Sequence, residues 1–305
     1  MTALSRRTLL ATGAAVLAAS ALPARAATRP TTFKHGAFEV IVVSDGHLVL
    51  PASFLATDAP QKERDAVLKE AGISGPQYNS PTNVTLLKRG DELTLIDMGS
   101  GGRFMPTAGK LWENLEAAGI DKSMIAHVVF THGHPDHLWG AVDEFDELQI
   151  PGATFHVAAN EWNFWEGDNA LRSIAPERAG FVTGARRNYA AIKERVKTMK
   201  PGDEVLPGVH VLDTPGHTQG HVSLALDGGD GLIIGGDALT HPIISFRHPE
   251  WRPATDHVPD QAVETRKKLL DRLANERSKL IGFHLPYPGH GMVERKDGAY
   301  RFVAV

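Results

Sequence analysis

A short segment rich in metal-ligating side chains constrains this chain more than any other feature. Residues 131–137 read THGHPDH and directly follow residues 126–130, a mostly apolar run that predicts a buried strand. In an extended segment, residues two apart point to the same side, so His132 and His134 can reach one metal ion. The proline that follows turns the chain, so that the last aspartate and histidine of the segment can face a second position. The segment therefore predicts a metal site at the end of a core strand.

The absence of cysteine narrows the chemistry of that site. No disulfide, thiol nucleophile or cysteine-based zinc site can form in this chain. Any metal must therefore be held by histidine and carboxylate groups, a donor set for which zinc is the default and which also accepts iron, manganese or cobalt.

The first 26 residues predict a cleaved export signal rather than part of the fold. They contain the pair Arg6-Arg7 and an alanine-rich and leucine-rich run, and they end in ARA at residues 24–26, a pattern that resembles a bacterial twin-arginine signal. The apolar run at residues 8–23 is short and rich in alanine and glycine, which disfavours a permanent membrane span. We expect cleavage after Ala26, no stable membrane insertion afterwards, and a periplasmic or secreted mature protein.

The charge of the mature chain argues against a nucleic-acid partner. Cleavage would remove three arginines and no acidic residue, which changes the formal net charge from -4 to -7. A chain this acidic is a poor binder of polyanions by bulk electrostatics. No nucleic acid is expected among its partners.

The order of short strands and helices predicts an α/β fold. The first strand should end at the turn Asp45-Gly46, and the helix over residues 176–200 should face solvent. Two β-rich halves, each flanked by helices, predict a four-layer α/β/β/α sandwich in which residues 27–305 form one domain. Strands are expected near residues 37–44, 83–88, 93–97, 126–130, 153–157, 209–212, 222–226, 231–235 and 279–283, and helices near 107–118, 176–200 and 259–273.

The histidine segment matches, residue by residue, the H-x-H-x-D-H signature of the metallo-β-lactamase superfamily. The chain resembles most the branch of methyl parathion hydrolase and lactonase-like enzymes, in residues 36–40, 44–46 and 83–119 and in HLPYPG at 284–289. The resemblance implies the metallo-β-lactamase fold and two divalent metal ions, with zinc as the default.

The resemblance also implies which residues bind the two ions. His217 lies in DTPGHTQGH at residues 213–221, and His284 follows a predicted strand. Asp237 follows two glycines, which alone would indicate ordinary turn chemistry. One ion would take His132, His134 and His217, the other would take Asp136, His137 and His284, and Asp237 with a water or hydroxide would lie between them.

Further residues are expected to support the metal ions and the substrate. Asp97, in a D-x-G element, and His221 should hold the ligands in place by hydrogen bonds. Asp136 or Asp237 should transfer the proton to the leaving group. Five aromatic residues outside clean helical periodicity are candidates for the wall of an apolar pocket, with ordinary core packing as the alternative: Trp139, Trp162, Trp165, Phe246 and Trp251.

These features favour a dinuclear metal-dependent hydrolase that cleaves lactones or aryl carboxylic esters by attack of a metal-bridging hydroxide. The expected partner is a small hydrophobic ester or lactone, and the resemblance implies a homodimer. Alternatives with the same fold are an organophosphate triester hydrolase, a β-lactamase, a glyoxalase-type thioesterase and an iron-dependent sulfur dioxygenase. A non-catalytic metal-binding or partner-binding protein is the alternative from another class, and the complete ligand set argues against it.

Overall fold

A computed structural model describes residues 28–305 of the chain. The expected export signal, with the Arg6-Arg7 pair and the cleavage position after Ala26, lies outside the described residues. In the part of the chain that the structure describes, no helix is long and apolar enough to cross a membrane.

Seven strands of the N-terminal half form one mixed sheet, in which they lie side by side in chain order. The pairs from β1 to β4 are antiparallel, and the pairs from β4 to β7 are parallel. The strands are β1 (Thr31–His35), β2 (Phe38–Pro51), β3 (Gln77–Arg89), β4 (Glu92–Ile96), β5 (Ile125–Val129), β6 (Thr154–Ala158) and β7 (Val196–Met199).

Seven strands of the C-terminal half form the second sheet, again in chain order from β8 to β14. Only the pair β11 and β12 is parallel among the six pairs of this sheet. The strands are β8 (Glu204–Leu206), β9 (Val209–Asp213), β10 (Val222–Leu226), β11 (Leu232–Ile234), β12 (Lys279–Ile281), β13 (His290–Lys296) and β14 (Ala299–Ala304).

Helices connect the strands and cover the outer faces of both sheets. They are α1 (Gln61–Glu70), α2 (Leu111–Ala117), α3 (Pro135–Leu138), α4 (Ala159–Glu166), α5 (Ala170–Ser173), α6 (Ala179–Ile192), α7 (Ile244–Arg247) and α8 (Pro259–Glu276). The strands expected at β3 and β4 and the long helix α8 are thus present, while β1, β7, β8, β13 and β14 were not predicted.

The alternation of side chains along β2 shows how the layers are built. Val40 and Val42 pack between the two sheets, together with residues such as Leu224 of β10. Ile41 and Val43 point to the opposite face and pack with α2, α4 and α6. A third core joins the second sheet to α8. Both faces of each sheet are therefore covered, which confirms the predicted four-layer sandwich.

Strand β2 is longer than the sequence predicts. The chain does not turn at Asp45-Gly46 but continues in the sheet, with a bulge between Ser44 and Gly46. The Asp45 carboxylate is buried and accepts hydrogen bonds from the backbone N–H groups of Ser100 and Leu111, each over 2.8 Å. Burial raises the pKa of Asp45 to about 6, against the lowering effect of these donors. The predicted turn is therefore wrong, because the polar pair marks a bulge that attaches β2 to the start of α2.

The helix predicted over residues 176–200 is shorter than expected and has a buried face. Helix α6 buries Val182, Ala185 and Tyr189 in the core of the first sheet, and residues 196–199 form β7 instead. Alanine, arginine and lysine are frequent in this stretch, but its apolar residues recur three and four positions apart, which is the spacing of a core-facing helix. The expectation of a solvent-facing helix up to residue 200 is therefore wrong.

Candidate metal centre

Loops that follow five different strands meet at one edge of the sandwich. The segment 132–137 follows β5, and Asp97 follows β4 in the same sheet. In the second sheet, His217, Asp237 and His284 lie beyond β9, β11 and β12. Residues that are up to 152 positions apart in the sequence thereby form two neighbouring groups of ligand atoms: His132, His134, His217 and Asp237 in one, and Asp136, His137 and His284 in the other.

The first group is built around His217. Its Nε2 lies 2.9 Å from Nδ1 of His134 and 3.1 Å from Oδ2 of Asp237. Nε2 of His132 lies 4.0 Å from the same carboxylate oxygen. Three imidazole nitrogens and one carboxylate oxygen therefore converge on one point, which is a donor set suited to a tetrahedral cation.

The second group combines one carboxylate with two imidazoles. Oδ2 of Asp136 lies 3.2 Å from Nε2 of His284 and 3.5 Å from Nε2 of His137. Helix α3 begins at Pro135, directly after His134, and this turn directs Asp136 and His137 away from the first group. The local reversal expected from the proline is thus present.

Asp237 lies between the two groups. Its Oδ2 lies 3.1 Å from Nε2 of both His217 and His284, and its Oδ1 lies 3.1 Å from Nε2 of His137. A carboxylate in this position faces both groups, so it can offset the repulsion between two cations.

Several buried atoms at the centre lack the hydrogen bonds that buried polar atoms normally make. Among the described residues, His132 Nε2, His137 Nε2, Asp136 Oδ2 and Asp237 Oδ1 have no hydrogen-bond partner. His137 Nε2 and Asp237 Oδ1 are close to each other but are not aligned for a hydrogen bond. Buried polar atoms without partners need an explanation, and atoms directed at a shared cation provide one. The residues present therefore fit divalent metal ions.

The electrostatic environment differs among the ligand histidines. Burial lowers the pKa of His132 and His134 well below the usual value, and neighbouring histidines add to this effect, so both imidazoles are neutral and can ligate a cation. Burial also acts to lower the pKa of His284, but the carboxylates of Asp237 and Asp136 outweigh it and raise the pKa to about 10. A cation would replace the proton that these carboxylates favour on His284.

Asp97 fixes the histidine segment by hydrogen bonds on the side away from the ligand groups. Its carboxylate accepts hydrogen bonds from the N–H and the hydroxyl of Thr131 and from Nδ1 of His137, each over 2.8 Å. Because Nδ1 of His137 donates, its Nε2 lone pair is free to face the second group. Asp97 adopts a left-handed backbone conformation with φ of 63°, which turns the chain at the end of β4.

His221 contacts the backbone of Asp237 and not the ligand atoms. Its Nδ1 donates to the carbonyl of Thr214 over 2.9 Å, and its Nε2 accepts from the N–H of Asp237, also over 2.9 Å. Burial lowers the pKa of His221 to about 3, so the ring stays neutral and can accept this hydrogen bond. His221 therefore fixes the turn that presents Asp237.

Two acidic residues at the centre were missed by the sequence analysis. Glu161, at the start of α4, accepts hydrogen bonds from the N–H of Gly133 over 2.8 Å and from the hydroxyl of Thr218 over 2.7 Å, so it joins the loops that carry His132 and His217. Asp256 lies with Oδ1 3.0 Å from Nδ1 of His217. Neither acid belongs to a recognisable motif, and only the tertiary structure brings them to the ligands.

Strand β3 supports the third ligand of the second group. Nδ1 of His284 donates to the carbonyl of Pro81 over 2.8 Å. The side chain of Asn83 donates to the carbonyls of Gly282 and Leu285, over 3.1 and 2.7 Å. The first sheet thus holds a ligand loop that belongs to the second sheet.

A cavity of about 320 Å³ opens beside the ligands. It contacts His134, Asp136, His217, Asp237 and His284 of the metal centre. The larger part of the remaining wall is apolar and comes mainly from the end of β2, the chain before α1, the region before α2 and the start of α6: Leu48, Val49, Leu50, Pro51, Phe54, Leu55, Phe104, Met105, Phe181 and Pro253. Polar side chains complete the wall: Tyr78, Ser80, Glu177, Arg178, Thr240 and Thr255.

The five aromatic residues expected in the pocket wall do not line this cavity. Trp165 is fully buried and donates to Glu161, and Trp162 packs on Tyr189. Trp139 packs edge to face behind Phe104 and Phe181, whereas Phe246 and Trp251 lie in separate cores. The structure therefore corrects the predicted wall: the apolar residues of β2 beyond the bulge take that place, and aromatic character alone does not distinguish a wall residue from a core residue.

The fold and the ligand groups define a class of metallo-hydrolase. The sequence profile of the metallo-β-lactamase superfamily matches residues 78–284, and the chain belongs to this superfamily. Among curated relatives, the probable metallo-hydrolase YqjP of Bacillus subtilis (strain 168) is 28% identical over 228 residues, which cover 68% of this chain and 66% of that protein. The aligned region thus spans just under two thirds of that relative's length.

Two solved structures share the fold over most of the chain. The dizinc quorum-quenching lactonase AidC, in complex with a product, has a TM-score of 0.84 and 25% identity, with 91% of this chain and 97% of AidC covered. The hydrolase AbOPH of the β-lactamase superfamily also has a TM-score of 0.84, with 28% identity and coverage of 92% and 99%. The chain is therefore similar to a lactonase and to a second hydrolase along nearly their whole lengths.

Proposed function

We propose that this protein is a dinuclear metal-dependent hydrolase that cleaves lactones or carboxylic esters whose acyl or aryl part is apolar. One observation carries the proposal: two adjoining groups of ligand atoms open into a cavity whose remaining wall is largely apolar. A small polar substrate would gain little from such a wall, whereas an apolar chain gains about 0.8 kcal/mol for each buried methylene. The similarity to the lactonase AidC supports the same substrate class.

Two divalent cations held by the seven ligand residues would supply an activated water and a Lewis acid for the carbonyl oxygen. The chain itself positions the substrate. Leu50, Phe54 and Phe181 contact the apolar part, so that the ester group is left beside Asp136 and Asp237. Zinc is the proposed metal on the basis of the donor set.

Two carboxylates that line the cavity are the proposed proton carriers. Asp136 and Asp237 are both buried beside the ligand groups. A carboxylate oxygen that is not bound to a cation can take the proton from the attacking water and deliver it to the leaving alkoxide. Asp237 faces both ligand groups, so its replacement should change metal content, whereas an Asp136→Asn variant that retains both metals isolates the proton transfer.

Tyr78 is proposed to donate a hydrogen bond to a substrate oxygen. It lines the cavity together with Asp237 and His284. Burial raises the pKa of Tyr78, and the Asp237 charge raises it further, so the hydroxyl remains protonated near neutral pH and can act as a donor. A Tyr78→Phe variant should lower kcat more than it raises KM if this hydrogen bond forms in the transition state.

Arg178 is a cation that could bind the carboxylate of a β-lactam, so this substrate class is also tested. It lines the cavity, donates to the carbonyl of Ala254 over 2.7 Å, and lies 5.7 Å from the ring of Phe54. A substrate carboxylate is the group that such a cation would bind. Turnover of the β-lactam nitrocefin therefore belongs in the substrate comparison.

The test uses the proposed mature protein, residues 27–305, saturated with zinc. Initial rates are compared on a long-chain acyl-homoserine lactone, an aryl ester, a methyl phosphotriester and nitrocefin, with chelator-treated protein as the control. We expect the lactone or the aryl ester to be hydrolysed fastest, with all turnover lost after chelation. A preference for the phosphotriester would transfer the assignment to organophosphate hydrolysis, and preference for nitrocefin to a β-lactamase.

We also propose export of this protein to the periplasm or the medium and association as a homodimer. The twin-arginine-like segment supports export. N-terminal sequencing of protein recovered outside the cytoplasm should begin at Ala27, and recovery of a chain beginning at Met1 would contradict cleavage. Light scattering of the zinc-saturated protein tests the dimer.

A further inference from the structure

His257 contacts the metal ligand His134 on the side of the ring that faces away from the first ligand group. The Nε2 atoms of the two rings lie 3.0 Å apart. The other nitrogen of His134, Nδ1, lies 2.9 Å from Nε2 of His217 and therefore points into the ligand group. His134 thus has one nitrogen directed at the metal position and the other at His257.

The positions of the protons follow from this geometry. If Nδ1 of His134 gives its lone pair to a metal, Nε2 of the neutral ring must carry the hydrogen. That N–H is directed at His257, so Nε2 of His257 must be the acceptor and its own hydrogen must lie on Nδ1. Nδ1 of His257 is buried and has no hydrogen-bond partner among the described residues, so no other contact there opposes this tautomer.

His257 and its neighbour Asp256 hold two ligands of the same group. Asp256 Oδ1 lies 3.0 Å from Nδ1 of His217, and the N–H of His257 donates to the carbonyl of His217 over 2.9 Å. Arg266 of α8 fixes Asp256 from the other side over 3.0 Å. Consecutive residues in the loop before α8 therefore orient His217 and His134, which come from different loops.

We propose that His257 is a positioning residue for the metal centre, which fixes the tautomer and ring orientation of His134 through a hydrogen bond between two neutral imidazoles. The inference rests on the metal centre of the proposed function but not on its substrate, because His257 does not line the cavity. Ligand histidines in metalloproteins usually donate to a carboxylate, a backbone carbonyl or water. This chain uses an imidazole at that position.

The surroundings explain why a neutral acceptor is suitable there. Asp256 is buried, and its carboxylate already lies beside His217 and Arg266. A second carboxylate at position 257 would place two like charges side by side in a buried region, which is costly. The His257 ring instead packs on Phe164 and Trp165, with centroids 5.5 and 5.7 Å away, so its apolar faces are also used.

The test measures zinc affinity rather than activity, by competition with a chromophoric chelator. His257→Phe removes the acceptor but keeps an aromatic ring against Phe164 and Trp165. His257→Gln keeps an acceptor, because its side-chain oxygen can occupy the place of Nε2. His156→Phe is the control, since His156 also pairs with an imidazole, that of His127 over 3.3 Å, but neither of these rings is a ligand.

We expect His257→Phe to weaken binding of one zinc equivalent by about 10- to 100-fold, with the second equivalent changed less. His257→Gln should restore affinity to within a few-fold of the wild type, and His156→Phe should leave it unchanged. The visible spectrum of the cobalt-substituted protein should shift in His257→Phe and return in His257→Gln. Unchanged affinity and spectrum in a folded His257→Phe protein would overturn the inference, as would equal losses in folded Phe and Gln variants.

These outcomes are separate from the test of the substrate. If the protein hydrolyses none of the candidate esters but His257→Phe weakens zinc binding, the positioning role stands and the proposed function fails. If the protein hydrolyses the esters rapidly and zinc affinity does not depend on position 257, the proposed function stands and the positioning role fails. Should His257→Phe not fold, as judged by circular dichroism, the affinity of His257→Gln decides: a loss of tenfold or more contradicts the role of the acceptor.

Discussion

The two halves of the candidate metal centre are built in different ways. In the N-terminal half, four ligands lie within the single segment 132–137, and one turn at Pro135 divides them between the two groups. In the C-terminal half, His217, Asp237 and His284 each lie on a separate loop, and each is held by a partner from elsewhere in the chain. Ligands of the first kind are encoded locally, whereas those of the second kind depend on the packing of the two sheets.

This difference predicts where the centre is most vulnerable. Substitution of Asp237 should affect both groups, because its carboxylate contacts ligands of each. A substitution at a residue that joins the halves should affect stability as well as the centre.

The largest effect is expected for Asp237→Ala. Loss of the carboxylate between the groups should lower kcat/KM by more than about 100-fold, beyond the ~10- to 100-fold typical of a residue that only orients a ligand. Metal analysis of the purified variant should show fewer than two zinc ions per chain. The matched control is Asp230→Ala, because Asp230 is exposed in the same half. Full activity and full metal content in Asp237→Ala would contradict its position between two cations.

Glu161→Gln should weaken the contact between the N-terminal and C-terminal halves of the candidate metal centre. The carboxylate joins the loop after β5 to the loop after β9 through charge-assisted hydrogen bonds, and an amide would direct its NH₂ group at some of the same donors. We expect a fall of about 3 kcal/mol in the free energy of unfolding, measured by urea denaturation. Glu116→Gln, on an exposed position of α2, serves as the control. A change below about 0.5 kcal/mol would show that the halves do not depend on this residue.

His221 should make the C-terminal half sensitive to acid. Its folded-state pKa of about 3 lies below the unfolded value of 6.5, so its contribution to stability is present above pH 6.5 and is lost as pH falls towards 3. Between pH 7 and pH 5 this group alone should cost about 2 kcal/mol. Urea denaturation of chelator-treated protein at both pH values should show a smaller difference for His221→Gln, whose amide does not titrate. Equal pH dependence in both proteins would refute this role.

The smallest effect is expected at the cavity wall. Leu50 lies in the part of β2 beyond the bulge, so Leu50→Ala should lower kcat/KM for a long-chain acyl substrate by about tenfold and for a short-chain substrate by less. Leu171→Ala, at an exposed position, should change neither rate. Equal losses for long and short chains would indicate that Leu50 does not contact the apolar part of the substrate.

Much of the centre could be predicted from local patterns. The segment 131–137 carries its own signal, because the ligand spacing, the preceding apolar strand and the proline are all adjacent in sequence. The four-layer sandwich also follows from alternating strands and amphipathic helices, and the structure confirms it. The prediction was wrong where one residue pair is compatible with two local structures: Asp45-Gly46 is typical of a turn but forms a bulge here.

The layered fold, the donor types and the ligand segment can be read from the sequence, since these depend on periodicity, on the absence of cysteine and on neighbouring residues. The residues that hold those ligands, such as Glu161, Asp256 and His257, and the residues that line the cavity are evident only in the tertiary structure. Their contacts join positions far apart in the chain, such as Glu161 with Thr218 and His134 with His257, so no local pattern marks them. A single acid or histidine is typical of many surfaces, and it acquires a role here because two sheets pack and bring it to the ligands.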